Sequence, residues 1–94
     1  MLFMYIHTHS VEKCLIDQPQ QSAKMVAQMR EEAQKANIKM TTYVAAHEHT
    51  IYSIIEANDI GALEKVLAPI TKWGDASLIP VMPMEQALNV IPNN

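Results

Sequence analysis

The sequence predicts an α+β fold, an antiparallel sheet with helices on one of its faces. Three observations carry this. Segments rich in β-branched, aromatic and aliphatic residues occur at Leu2–Thr8, Ile38–Ala46, Thr50–Ala57 and Leu78–Met84. Two longer stretches of helical period, Pro19–Ala36 and Ile60 to the Trp73-Gly74 stop, separate the first strand from the second and the third from the fourth. Only His47-Glu48-His49 lies between the second and third strands, a link short enough for an antiparallel hairpin. The order strand, helix, strand, strand, helix, strand is the split βαβ, ferredoxin-like arrangement: a four-stranded antiparallel sheet with two helices on one face.

Each element has its own warrant. Alternation along the first strand puts Phe3, Tyr5, His7 and His9 on one face and Leu2, Met4, Ile6 and Thr8 on the other. Ser10–Gln18 is a connection, with Asp17 or Gln18 as a helix cap and Pro19 in the first turn. Ser22, Val26, Met29, Ala33 and Ala36 form the apolar stripe of the first helix, flanked by Met25. Glu31 and Lys35 are an i,i+4 pair, and Asn37 is a left-handed stop. Asn58-Asp59 caps the second helix, whose buried positions read as Ile60, Leu63, Val66, Leu67 and Ile70, with a kink or break at Pro69. Pro80 and Pro83 remove ladder donors, which places the last strand at an edge or an interface. Met84–Leu88 adds a helical turn, and residues 88–94 read as a flexible tail of a single domain spanning residues 1–94.

Ninety-four residues make one core, of a size that self-association often supports. Charged residues are 18% of the chain against 49% hydrophobic, which leaves little charge to cover a surface and argues for an oligomer. The net charge is −3 and the seven Lys and Arg residues are scattered, so nucleic acid is not an expected partner. Cys14 is the single cysteine, so no intrachain disulfide forms and nothing points to an oxidising compartment. The Met-Leu-Phe-Met-Tyr-Ile start lacks a basic lead and a cleavage site, and no apolar run approaches the ~20 residues that span a bilayer. A cytoplasmic protein with no membrane partner is expected.

Met-Leu-Phe-Met at the start, Glu56-Ala57-Asn58-Asp59 leading into the second helix, and Ile79-Pro80-Val81-Met82 near the end resemble the dimeric α+β-barrel superfamily over nearly the whole chain. Within it, the chain is similar to uncharacterised single-domain members and to the antibiotic-biosynthesis-monooxygenase type. The resemblance implies a homodimer whose sheets pack face to face, with a small-molecule pocket between sheet and helices in each subunit. Haem-degrading members carry an Asn late in the first strand, and a Trp and a haem-ligating His on the second helix. Here His7 takes the place of the Asn, Leu63–Leu67 contains neither Trp nor His, and Trp73 comes too late, so haem is not expected. The superfamily also has a nickel-binding branch.

The chemistry centres on histidine. All four histidines fall in the pairs His7-Thr8-His9 and His47-Glu48-His49, and the split βαβ topology brings both pairs to one end of the sheet, where the connection bearing Cys14 begins. The leading reading is a protein that binds an apolar or amphiphilic small molecule, fatty-acid-like or aromatic. Phe3, Tyr5, His7, Met29, Tyr52 and Val66 would line the pocket, and His7 or a Tyr hydroxyl would meet the ligand's polar group. As an enzyme it would be a cofactor-independent monooxygenase or an isomerase, with His7 as acid and base. The alternative is a divalent metal (nickel, zinc or copper) held by His7, His9, His47 and His49, since two imidazoles on one strand face stand about 7 Å apart. A structural or assembly subunit without a small-molecule site is a third reading. Capping and solvation account for Asp17 and Glu48. The seven methionines, with Met4, Met25, Met29, Met40 and Met82 inward or half-buried, suit either an adaptable lining or an ordinary core.

Overall fold

A computed structural model describes residues 1–10 and 18–90. Strands β1 (Leu2–Thr8), β2 (Lys39–Ala45), β3 (Thr50–Glu56) and β4 (Asp75–Val81) alternate with helices α1 (Pro19–Lys35) and α2 (Ile60–Thr71), and α3 (Met84–Val90) follows. The sheet order is β2-β3-β1-β4 with every neighbouring pair antiparallel, the ferredoxin-like arrangement read from the element order. Cys14 and the proposed Asp17 cap lie outside the described residues.

The inner face of the sheet is a closed core. Phe3 and Tyr5 of β1 and Ile55 of β3 are buried with Leu63, Val66 and Leu67 of α2, Ala33 of α1, and the flanking Ile38 and Ala57. Phe3, Ile55 and Leu63 are fully buried, and burying such a side chain is worth about 1.5–3 kcal/mol. Met29, Met40, Ile70 and Leu78 pack around this centre. The local signals at the Asn37–Asn58 end behave as the sequence suggests. Asn37 stops α1 at φ 57°, and the Ile38 amide donates to the Ala33 carbonyl at 2.8 Å. Asp59 Oδ1 accepts from the Gly61 and Ala62 amides at 2.9 and 3.2 Å and caps α2. Lys35 lies 3.3 Å from Glu31 on the exposed side of α1.

Several expectations need correction. Strand β4 starts and ends three residues earlier than its apolar content suggests, because it pairs with the full length of β1, from Thr8 opposite Asp75 to Leu2 opposite Val81. Pro80 does sit in an edge strand, while Pro83 falls beyond it. Pro69 does not end α2, which continues to Thr71; its missing amide costs one bond, to the carbonyl of the exposed Lys65. Val26 and Ile60 are exposed, since the buried line of α1 runs through Met25 and Met29 and Ile60 is the first residue of α2. Residues 88–90, read as tail, belong to α3, and Met4 and Met82 are exposed rather than inward.

The other face of the sheet has no cover among the described residues. Met4, Tyr43, Tyr52, Ile54 and Ile79 stand exposed on it, with Ile54 and Ile79 flanking Met4 and Tyr43 beside Tyr52. The chain exposes 7112 Å², whereas a monomeric protein of 10.6 kDa exposes about 5,500 Å².

Candidate functional site

The β2–β3 hairpin brings the two His-x-His pairs together. A single 3₁₀ turn, Ala46–Glu48, is closed by the His49 amide donating to the Ala46 carbonyl at 3.2 Å, and Thr50 Oγ1 donates to the Glu48 carbonyl at 2.9 Å. His49 itself takes the left-handed conformation, φ 51° and ψ 41°. Its carbonyl accepts from the His9 amide at 3.1 Å, which ties the hairpin to the end of β1. Gly74 closes the site from the other side. A Cβ on Gly74 would stand 2.0 Å from the Thr8 carbonyl oxygen and 3.0 Å from the His9 Cα, so only glycine lets the α2–β4 connection approach β1 this closely.

Four rings follow one another across this end of the sheet. The Tyr5 and His7 rings stack at 6.4 Å and 17°, His7 and His9 are 5.5 Å apart, and His9 meets His49 edge-on at 5.6 Å. Tyr5 Oη and Thr71 Oγ1 share a hydrogen bond of 2.9 Å, and Thr71 Oγ1 donates to the Leu67 carbonyl at 2.9 Å. The imidazoles are different. His7 is 1% exposed and the Ile70 backbone carbonyl acts on its ring, yet among the described residues neither ring nitrogen makes a hydrogen bond of good geometry, and the buried His9 Nε2 and His49 Nδ1 make none either. Each buried polar atom left unpaired costs about 1–3 kcal/mol, so this group is expensive to keep.

Burial pushes the His7 pKa down, the neighbouring His9 adds to this, and the Ile70 carbonyl and the Asp75 carboxylate pull weakly the other way. His9 is lowered too, by burial and then by His49. Both are therefore neutral near pH 7, each with one donor and one acceptor nitrogen. Burial raises the Tyr5 pKa against the hydrogen bond to Thr71.

The structure gathers Phe3, Tyr5, His7, Met29 and Val66 on the inner side of the sheet, where Phe3, Tyr5 and Val66 are buried as core and Met29 packs beside them. Tyr52 does not join them. It pairs with Ile6 and Tyr43 and stands on the opposite face, because side chains on a strand change face at every residue. His9 and His49 come together with His7, while His47 is exposed and takes no part in the ring contacts among the described residues. Among those residues no three His, Cys, Asp or Glu groups are disposed to hold a metal ion. A polar depression of about 200 Å³ lies at the far end of the sheet, lined by Asn37, Lys39, Glu56, Ala57 and Asn58. Sequence reasoning missed Thr71, Asp75 and the role of Gly74; of these only the glycine gave a signal, and it read as a helix stop.

A protein-family model, described as a domain of unknown function, DUF3303, matches residues 1–94. The chain belongs to the DUF3303 family. No curated protein matches this DUF3303 domain. Among solved structures it is similar to muconolactone isomerase, whose crystal structure at 3.3 Å resolution aligns over 88% of this chain and 90% of that one, with 21% identity and a TM-score of 0.55. That likeness is one of fold, and it agrees with the ferredoxin-like topology seen here. No helix among the described residues is long and apolar enough to cross a membrane.

Proposed function

We propose that this DUF3303 domain is a homodimer subunit that binds an apolar or amphiphilic small molecule at the histidine end of its sheet, with His7 as proton donor and acceptor. The observation that carries the reading is His7 itself, buried at 1% exposure with neither ring nitrogen in a hydrogen bond of good geometry among the described residues. A fold keeps such a group at a cost unless a ligand meets it. A neutral imidazole near pH 7 suits moving a proton between two carbons, the work of an isomerase, or taking one from an activated carbon, the first step of a cofactor-independent monooxygenase. The stack with Tyr5 and the half-buried Ile70 and Leu78 supply an apolar border. Organic extraction and mass spectrometry of protein denatured after purification should release a small molecule, and H7Q protein should release less. Extracts identical to those of buffer, from wild type and variant alike, would refute the binding reading.

The dimer is supported by the uncovered apolar face of Met4, Tyr43, Tyr52, Ile54 and Ile79. Light scattering after gel filtration should give twice the 10.6 kDa of the chain. I54E, which places a charge in the middle of that face, should give the mass of one chain with the circular dichroism spectrum unchanged.

A further inference from the structure

We infer that the ligand group recognised at this site is an anionic carboxylate, received by the imidazoles of His7, His9 and His49. The inference rests on the small-molecule reading above and names the chemical class of its ligand. Its basis is the geometry of the unpaired nitrogens. They lie on three rings in succession, 5.5 and 5.6 Å between centroids, and the rings come from two separated segments held together by the His9–His49 backbone bond. Each imidazole, neutral or protonated, brings at least one N–H donor. A carboxylate offers two oxygens with about four acceptor positions, a hydroxyl offers one oxygen that must also place its own proton, and an ammonium offers donors only.

Two carboxylates, Asp75 and Glu48, stand in this region, so the imidazole donors and not the surrounding charge select the anion. Tyr5 and His9 face His7 from its own strand, the Ile70 carbonyl from α2 and Asp75 from β4, while His49 faces His9 from the hairpin and His47 and Glu48 stand exposed beside it. Burial holds His7 and His9 neutral near pH 7. An arriving anion supplies the charge that lets one of them take up a proton, which turns neutral hydrogen bonds into charge-assisted ones. A neutral ligand draws no such response. His49 adds an independent sign. A non-glycine residue in the left-handed region is a strained choice for a hairpin link, and here it brings a ring with an unpaired buried nitrogen against His9.

The test compares ligands of matched body and different head, measured by calorimetry at pH 6 and pH 8: octanoate, octan-1-ol and octylamine, and phenylacetate against 2-phenylethanol. At pH 6 the acid of at least one set should bind about tenfold or more tightly than its alcohol, with the gap narrowing at pH 8. H9Q and H49G should each remove most of that preference. H49G suits the left-handed backbone at this position, and circular dichroism checks its fold. Equal binding of acid and alcohol overturns the carboxylate inference and leaves the pocket reading standing. Tightest binding by octylamine overturns it in favour of a cation at Asp75. Failure of every probe to bind counts against the inference and the pocket reading together.

Discussion

The two ends of the sheet are built to different standards. At the Asn37–Asn58 end each demand of the backbone meets a suitable residue: Asn takes the left-handed position after α1, Asp59 caps α2, the Ile38 amide finds the Ala33 carbonyl, and the Ala57 amide finds that of Met1 at 2.9 Å. At the other end a histidine occupies a left-handed position, four buried imidazole nitrogens lack hydrogen bonds of good geometry among the described residues, and a backbone contact tolerates no side chain at all. One end is consistent at every level and the other breaks local rules, which is where a working site is expected in a fold that is otherwise self-consistent.

This contrast can be broken most sharply at Gly74. G74A should cost about 3 kcal/mol in urea unfolding, because its Cβ meets the Thr8 carbonyl oxygen rather than a side chain that can swing aside. If G74A unfolds like the wild type, the close approach is not what holds this end together. Acid tests the imidazoles. Because burial lowers the folded-state pKa of His7 and His9 below the ordinary 6.5, the unfolded chain takes up protons first as pH falls. Their contribution is complete above pH 6.5 and is lost below it until the folded-state values are reached, with a slope of at most ~1.4 kcal/mol per pH unit for each histidine. Denaturation followed between pH 8 and 5 should show this slope, and H7Q should reduce it.

Two substitutions of smaller effect should have opposite signs. D59A removes a cap at the consistent end and should lower stability by about 1 kcal/mol. H49G at the strained end should raise it by about 0.5–1 kcal/mol, since glycine takes φ 51° freely. Thermal melts at pH 7.5 separate the two. A loss from H49G as large as that from D59A would mean that the His49 ring contributes packing that outweighs its backbone strain.

Most of the fold was legible because it depends on periodicity and punctuation. The limits of β1 follow from an unbroken apolar run, those of α1 from Pro19 and Asn37, and the hairpin from the shortness of its link. Strand β4 was misplaced because Asp75-Ala76-Ser77 carries no apolar signal and is a strand only through its pairing with β1. At the site, the meeting of His7, His9 and His49 was legible from topology alone. The wrong face for Tyr52 came from its register with Ile6, which a list of aromatic residues does not reveal. That the imidazoles lack partners was beyond reach, since satisfaction belongs to the neighbours a group ends up with and not to the group.

Thr71 has one hydroxyl proton, and it is committed to the Leu67 carbonyl. The 2.9 Å bond to Tyr5 therefore runs in one direction, with the phenol donating and Thr71 accepting. Tyr5 thus has no proton left to offer a ligand, although its oxygen can still accept one. Any molecule lying along the ring row meets an acceptor at the Tyr5 end and donors at the imidazoles, a built-in polarity that decides which way round it sits.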